Sequence, residues 1–254
     1  MSVQQTAPPL AAGVAVTPIV ALDVSDRSAA QAIVSRLGDA CGFYKVGLEL
    51  FAAEGPSMVS WLRDAGKRVF VDLKLHDIPN TVHGAARSVA RHGASLLTVH
   101  ASGGAEMIRA AVAGATEGTA GGSSAHGGCG ILGVTILTSM DATGIGDAWG
   151  RQQVDVPTEV VRLAGLVRLG GGAGIVCSGH EAAAVRTVHG EALGLLIPGI
   201  RLPGGDAHDQ RRVMTPRAAA DAGARWLILG RAVTGAADPV AAMKQVAASL
   251  AGAG

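Results

Sequence analysis

The chain has 254 residues, of which 48% are hydrophobic, 16% are charged and only 3% are aromatic. This length suits a single α/β barrel, which typically uses about 250 residues, and a core poor in aromatics must be built from Val, Leu, Ile and Ala. The formal net charge of +1 excludes a general electrostatic attraction to nucleic acid or to anionic membranes. Any recognition of phosphate is therefore expected to be local.

The sequence predicts a soluble, cytoplasmic protein. Its three cysteines, Cys41, Cys129 and Cys177, are far apart and form no CxxC pair, as is typical of a reducing compartment. No basic region precedes an apolar stretch at the N-terminus, so a secretory signal is not expected. No segment reaches the roughly 18 consecutive apolar residues of a membrane helix. Nucleic-acid binding is not expected either, because a basic patch and an aromatic platform are both missing.

Eight short β-branched runs are predicted to be strands: Pro18–Asp23, Phe43–Leu48, Val69–Lys74, Ser95–His100, Ile131–Thr138, Gly174–Ser178, Gly194–Pro198 and Trp226–Gly230. Segments of helical character lie between or after them: Asp26–Leu37, Ser57–Asp64, Asn80–Arg91, Ala105–Ala113, Pro157–Leu169 and Val240–Leu250. This alternation predicts an α/β fold, a (β/α)8 TIM barrel that occupies residues 1–254 as a single domain, with residues 1–16 as an extended N-terminal segment. An open doubly wound sheet is the structural alternative.

Two segments between these elements are unusually long. Ala113–Gly130 is rich in Gly, Ala and Ser and is interpreted as a tolerated surface insertion. Ser139–Val156 follows the fifth predicted strand, at the end where barrels carry their active-site loops, and is interpreted as a lid.

Charged residues gather at the carboxyl ends of the first three predicted strands, where barrels place their active sites. They are Asp23, Lys45, Asp72 and Lys74. An isolated buried charge is costly, so two lysines and two aspartates predict one shared network, with ordinary ion pairs at the rim as the alternative. Asp72 and Lys74 are two residues apart and point to the same side of a strand. Nearby carboxylates favour the charged form of a lysine, which predicts that Lys74 donates a proton to a carbanion.

A phosphate site is predicted after the last two strands, since barrels often bind phosphate with the loops after strands seven and eight. Gly230 and Arg231 end the eighth predicted strand, where the glycine lets backbone N–H groups approach an anion and the guanidinium matches phosphate oxygens. The polar loop after the seventh strand contains Arg201 and Gln210. This loop is expected to close over the anion.

The chain resembles the orotidine 5′-phosphate decarboxylases over essentially its whole length. The segment from Asp72 to Val82, DLKLHDIPNTV, is the most specific part of the resemblance. The other matching segments occur in the order found in the family: ALDVSD (21–26), YKVGLEL (44–50), TVHASGG (98–104), GVTILTSM (133–140), PGIRLPGGDAHDQRRVMTP (198–216) and LGRAVTGAADP (229–239). The resemblance implies a barrel enzyme that uses neither a cofactor nor a metal ion.

The resemblance also implies roles for the charged residues. Asp23 and Lys45 would hold the ribose hydroxyls of the substrate, orotidine 5′-phosphate, and would join the charged network. Lys74 would protonate C6 of the pyrimidine after carbon dioxide leaves. Asp72 would lie near the departing carboxylate. The product would be uridine 5′-phosphate, formed in the last step of de novo pyrimidine nucleotide synthesis.

Further implied roles concern the rest of the substrate and a second subunit. Asp77 and Thr81 would reach into the neighbouring subunit's site, so the active form would be a homodimer. Thr138 and Pro198 would border the base. The phosphate would be bound by Gln210, Gly230 and Arg231, with Arg201 from the closing loop.

Two other functions are compatible with the sequence. A magnesium-dependent sugar-phosphate lyase or decarboxylase of the same superfamily would share the DxKxxD core but would need acidic metal ligands at other strand ends. Lys45 on the second strand argues against such a metal site, and Glu49 is only a weak candidate ligand. A catalytically silent barrel that binds a nucleotide is the second alternative. His76 and His83 are seven residues apart and form no convincing metal site, and His100 is expected to be a hydrogen-bonded wall residue.

Overall fold

Eight parallel strands form a closed barrel in chain order. The structure is a computed structural model that describes residues 16–121, 127–202 and 213–252. The strands are β1 Thr17–Leu22, β2 Phe43–Gly47, β3 Arg68–Leu75, β4 Leu96–His100, β5 Gly130–Val134, β6 Gly174–Val176, β7 Gly194–Ile197 and β8 Trp226–Leu229. Val20 of β1 pairs with Leu229 of β8, so the sheet has no open edge. The predicted TIM barrel is confirmed, and the open doubly wound sheet is wrong.

Helices follow the strands, and each of the six predicted helical segments is present. The described α-helices are α1 Arg27–Leu37, α2 Leu48–Glu54, α3 Ser57–Asp64, α4 Pro79–Arg91, α5 Gly104–Ala120, α6 Ala142–Trp149, α7 Val156–Leu169, α8 Ala182–His189, α9 Pro216–Asp221, α10 Arg231–Thr234 and α11 Pro239–Ala251. Six of the eight predicted strands were longer than the observed strands. Leu48 begins α2, and β5 ends four residues before Thr138. The N–H and the hydroxyl of Thr135 both donate to the carbonyl of Val176, where the described pairing of β5 with β6 ends.

The core has two layers, which the alternation of side chains along each strand separates. Outward-facing residues such as Val20, Leu22 and Val71 pack beneath the helices in the larger cluster. Inward-facing residues fill the floor of the barrel as a second cluster: Ile19, Phe43, Phe70, Leu96, Leu132, Leu196 and Trp226. The floor closes the amino-terminal end of the barrel, so a ligand has access only from the opposite mouth.

The prediction that Ala113–Gly130 is a surface insertion is wrong for its first part. Helix α5 continues to Ala120, and residues 122–126 lie outside the described part of the chain. Gly114 and Gly118 are buried against α4, where a Cβ would lie 2.1 Å from the carbonyl oxygen of His83 and 2.3 Å from that of Arg87, respectively. These two glycines therefore allow two helix backbones to approach closely.

The segment interpreted as a lid, Ser139–Val156, contains helix α6. Its far end is tied to α7 by Arg151, whose guanidinium lies 3.0 Å from the carboxylate of Glu159. Hydrogen bonds from Arg162 and Arg151 lower the pKa of the Glu159 carboxyl, which is buried. Movement of this segment over the barrel mouth stays a prediction.

Three further predictions concern the N-terminal segment, the cysteines and membrane-spanning helices. The predicted N-terminal segment, residues 1–16, lies outside the described residues except for Val16. All three cysteines are free thiols, and burial raises the pKa of Cys177 to about 12. In the part of the chain that is described, no helix combines the length and the apolar character needed to cross a membrane.

Candidate active site

The same alternation that builds the floor carries charged side chains to the mouth of the barrel. Inward-facing positions on a strand are two residues apart, so the row that starts at Phe70 in the floor continues through Asp72 to Lys74. The same two-residue step, taken from the floor residues Ile19 on β1 and Phe43 on β2, gives Asp23 after the end of β1 and Lys45 on β2. Phe70 and the four charged residues line one cavity of about 230 Å³.

The four charged side chains form a continuous row of alternating sign. The ammonium of Lys45 lies 2.7 Å from Asp23 Oδ1 and 3.7 Å from Asp72 Oδ2. The ammonium of Lys74 lies 2.9 Å from Asp72 Oδ2. Only 9% of the Lys45 side chain is exposed, against 62% for Asp23, so the row runs from the interior of the barrel to its rim. The structure thus brings together all four residues of the network that the sequence predicted.

The cavity around this row, here called the reaction cavity, has one charged side and one apolar side. Thr138 and Pro198, which the resemblance predicts to border the base, line this cavity. Sequence reasoning missed its apolar wall, which consists of Val134, Ile136, Leu137, Val176, Leu196 and Ile228. Most of these residues follow from the two-residue step along β5 to β8. The lining of the reaction cavity is therefore suited to a group that is polar on one side and apolar on the other.

A second cavity of about 410 Å³ adjoins the reaction cavity and is here called the basic cavity. The two cavities share Asp23, Pro198 and Ile228. Three residues predicted to bind phosphate line the basic cavity: Arg201, Gly230 and Arg231. Thr234, which sequence reasoning missed, lines it as well. Gln210, the fourth predicted residue, lies outside the described part of the chain.

Asp77 and Thr81 do not line either cavity of their own chain. Both are exposed at the start of α4, where Asp77 accepts a hydrogen bond from the backbone N–H of Ile78 at 2.7 Å. Two large apolar side chains near this end of the barrel are also exposed: Ile78 by 67%, and Leu48, which follows strand β2 next to β3, by 57%. The structure thus separates these two predicted site residues from the other members of the site.

Gly47, at the end of β2, is a further residue that sequence reasoning missed. A Cβ at this position would lie 2.9 Å from Lys45 Nζ and 3.1 Å from Asp23 Oδ1. The signal in the sequence was its position two residues after Lys45, on the same face of the strand. Glycine at this position leaves room for the Lys45–Asp23 ion pair.

The histidines near the site form no metal centre within the described residues, where no group of three or more His, Cys, Asp or Glu side chains is arranged to hold an ion. The rings of His76 and His100 are 5.6 Å apart. Burial, followed by the positive charges of His76 and Lys74, lowers the pKa of His100 from its ordinary value of 6.5. The fold thus favours the neutral form of His100, but His100 lines neither the reaction cavity nor the basic cavity, so the prediction of a wall residue is wrong for these two cavities.

The lowered pKa of His100 leads us to expect that the stability of the fold depends on pH. The unfolded chain takes up a proton on His100 as the pH falls through about 6.5, whereas the folded chain binds it only at lower pH, so acidification favours unfolding. We expect the free energy of unfolding to fall more between about pH 7.5 and about pH 5.5 in the wild type than in His100→Gln. Urea denaturation at both pH values measures the difference. An equal loss in the two proteins would show that His100 does not contribute.

Comparison with known proteins identifies the family. The sequence profile of the orotidine 5′-phosphate decarboxylase / HUMPS family matches residues 17–246. The curated orotidine 5′-phosphate decarboxylase of Anaeromyxobacter dehalogenans is 50% identical over 232 residues, which cover 91% of this chain and 96% of that protein. The enzyme of the same name from Moorella thermoacetica is 45% identical, with 91% of each chain covered. The crystal structure of orotidine 5′-phosphate decarboxylase from Lactobacillus acidophilus matches with a TM-score of 0.82 at 33% identity, covering 92% of this chain and 98% of that one. This chain belongs to the orotidine 5′-phosphate decarboxylase / HUMPS family.

Proposed function

We propose that this chain decarboxylates orotidine 5′-phosphate to uridine 5′-phosphate, the last step of de novo pyrimidine nucleotide synthesis. The observation that carries the proposal is the row of Asp23, Lys45, Asp72 and Lys74, which lines a cavity that adjoins the basic cavity. A nucleotide needs both features, since one end is a flat ring and the other is a phosphate. Curated relatives at 43% to 50% identity carry the name of this activity.

The charged row suits the chemistry of this reaction. When the bond between C6 and the carboxylate breaks, carbon dioxide leaves and an electron pair stays on a ring carbon that has no adjacent carbonyl to absorb it. A fixed ammonium beside that carbon stabilises the developing charge without reorganisation during the reaction. Lys74 then donates a proton to C6. Asp72, 2.9 Å from the Lys74 ammonium, holds the lysine and lies near the departing carboxylate. No cofactor is required for any of these steps.

The remaining contacts bind the substrate. Asp23 and Lys45 hold the ribose hydroxyls, and Thr138 and Pro198 border the base. The phosphate lies in the basic cavity against Arg201, Gly230 and Arg231, with Gln210 as a further predicted contact. Binding energy at the phosphate lowers the barrier at C6 only if it is used to position the ring and to expel water.

A symmetric homodimer completes this proposal. Asp77 and Thr81 are exposed beside the apolar side chain of Ile78, and they line neither the reaction cavity nor the basic cavity of their own chain. A twofold interface at this edge would bury the apolar surface and carry Asp77 and Thr81 of each protomer to the site of the other. A cytoplasmic location is also part of the proposal, and the three free thiols support it.

An ultraviolet assay tests the proposed function. Purified protein is incubated with orotidine 5′-phosphate, with and without a metal chelator, and the products are separated. Loss of orotidine absorbance that is insensitive to the chelator, with formation of uridine 5′-phosphate, is the expected result. Without turnover, activity on a sugar phosphate restored by magnesium would favour the lyase alternative. Binding without turnover of either substrate would favour the silent barrel.

Gly47 provides a specific test of the charged row. In Gly47→Ala the new methyl group displaces the Lys45 ammonium or the Asp23 carboxylate, so we expect kcat/KM for orotidine 5′-phosphate to fall by about 10- to 100-fold. Gly42→Ala is the matched control, because a Cβ at Gly42 would meet nothing within 4 Å. Wild-type kcat/KM in folded Gly47→Ala would show that the ion pair can shift without consequence.

A further inference from the structure

Strand β3 has an irregular backbone at the residues that carry the proposed chemistry. Its pairing register with β4 shifts there, so that residues 72–74 lie opposite Thr98 alone. Lys74 has a φ of 52° and is the only non-glycine residue with positive φ in the described ranges. L-residues avoid this conformation because Cβ crowds the backbone. It persists only where surrounding contacts hold it.

The hydroxyl of Thr98 makes two contacts that hold this conformation. Its oxygen accepts a hydrogen bond from the backbone N–H of Lys74 at 2.9 Å. The same hydroxyl donates a hydrogen bond to Asp72 Oδ1, also at 2.9 Å. Thr98 has no exposed surface, so water cannot replace it at either bond. The buried hydroxyl of Thr98 thus accepts the hydrogen bond from Lys74 N–H that a backbone carbonyl would accept in a regular pairing of β3 with β4. It also donates a hydrogen bond to the Asp72 carboxylate.

These two bonds determine how the reacting groups face each other. With Asp72 Oδ1 held by Thr98, Oδ2 is left to face the ammonium of Lys74 at 2.9 Å and that of Lys45 at 3.7 Å. The bond to the Lys74 backbone sets the direction in which the lysine side chain leaves the strand. Thr98 therefore constrains both partners of the Asp72–Lys74 pair, although it does not line the reaction cavity.

We propose that Thr98 is a positioning residue for the decarboxylation step, which orients Asp72 and Lys74 through its single hydroxyl. The inference rests on the proposed function. It goes beyond that function because it assigns the orientation of the proton donor to a residue of the neighbouring strand. Since the substrate is held mainly by other groups, the loss of this hydroxyl should reduce turnover and leave binding largely unchanged.

The test compares three variants. Thr98→Val keeps the shape of the side chain and removes the hydroxyl, whereas Thr98→Ser keeps the hydroxyl and removes the methyl group. Thr135→Val is the matched control, because Thr135 is also buried and its hydroxyl donates to the carbonyl of Val176 at 2.9 Å, but this bond touches neither Asp72 nor Lys74. For each protein, kcat per titrated active site, the Kd of uridine 5′-phosphate and the unfolding midpoint are measured.

We expect kcat to fall by about 10- to 100-fold in Thr98→Val, which corresponds to the loss of hydrogen bonds to a charged group. The Kd of uridine 5′-phosphate should stay within about threefold of the wild-type value, and kcat of Thr98→Ser and Thr135→Val should do the same. The inference is overturned if Thr98→Val keeps wild-type kcat, or if Thr98→Ser loses as much as Thr98→Val. Thr98→Ala takes the place of Thr98→Val if the latter does not fold.

A crystal structure of the hydroxyl-free variant gives a readout that does not depend on turnover. We expect Lys74 to leave the positive-φ region or its ammonium to move away from Asp72. An unchanged geometry would overturn the inference even if kcat fell. If the wild-type protein itself does not convert orotidine 5′-phosphate, the proposed function fails, while the structural result still shows whether Thr98 holds the Asp72–Lys74 geometry.

Discussion

Replacing Lys74 with alanine is expected to lower the turnover of orotidine 5′-phosphate by at least about 10⁴-fold while the barrel stays folded. The size of the effect follows from the two roles that one ammonium fills. In the proposed mechanism it both stabilises the carbanion at C6 and supplies the proton. No other described cation is as close to Asp72, since the ammonium of Lys45 is 3.7 Å away against 2.9 Å for Lys74. Turnover is measured by ultraviolet absorbance, and folding by circular dichroism.

The control for this substitution is Lys244→Ala. Lys244 is exposed on α11, so its removal changes the net charge by the same amount without touching the site, and we expect wild-type turnover. Near-normal turnover in a folded Lys74→Ala protein would rule out Lys74 as the proton donor. The same result would direct attention to water or to another residue of the reaction cavity.

Mixing two inactive variants is expected to restore activity if each site is shared between subunits. Lys74→Ala removes the proton donor from its own chain, and Asp77→Ala removes the group proposed to reach the partner's site. In a hybrid dimer, one of the two sites keeps both residues. A mixture of equal amounts, unfolded and refolded together, should therefore recover about one quarter of the wild-type activity, because half of the dimers are hybrids and each has one intact site.

The matched control mixes Lys74→Ala with Asp72→Ala. Asp72 and Lys74 lie 2.9 Å apart in one chain, so every hybrid site lacks one of them and no activity should return. Equal recovery in both mixtures would contradict sharing of the site. Activity in Asp77→Ala alone at the wild-type level would show that Asp77 is not needed, and an ultracentrifuge measurement of a monomer would remove the basis of the proposal.

Much of the fold and of the charged site could be predicted from the sequence because both depend on local patterns. Short β-branched runs that alternate with helical segments indicated eight strands, and all eight are present. The two-residue period of a strand then placed Asp72 and Lys74 on one face. Position at a strand's carboxyl end placed Asp23 and Lys45 beside them. None of these inferences requires a distance between segments that are remote in the chain.

The features in which remote segments touch could not be predicted from the sequence, because they depend on three-dimensional packing. Glycines inside α5 suggested a loop because glycine weakens an isolated helix, yet Gly114 is needed where α5 meets the backbone of α4. Gly47 is required only because the Lys45–Asp23 pair lies where its side chain would be. The positive φ of Lys74 is held by a hydroxyl from the neighbouring strand, that of Thr98. A local pattern specifies which element a residue joins, whereas close packing and strained backbone depend on the atoms that the fold brings against it.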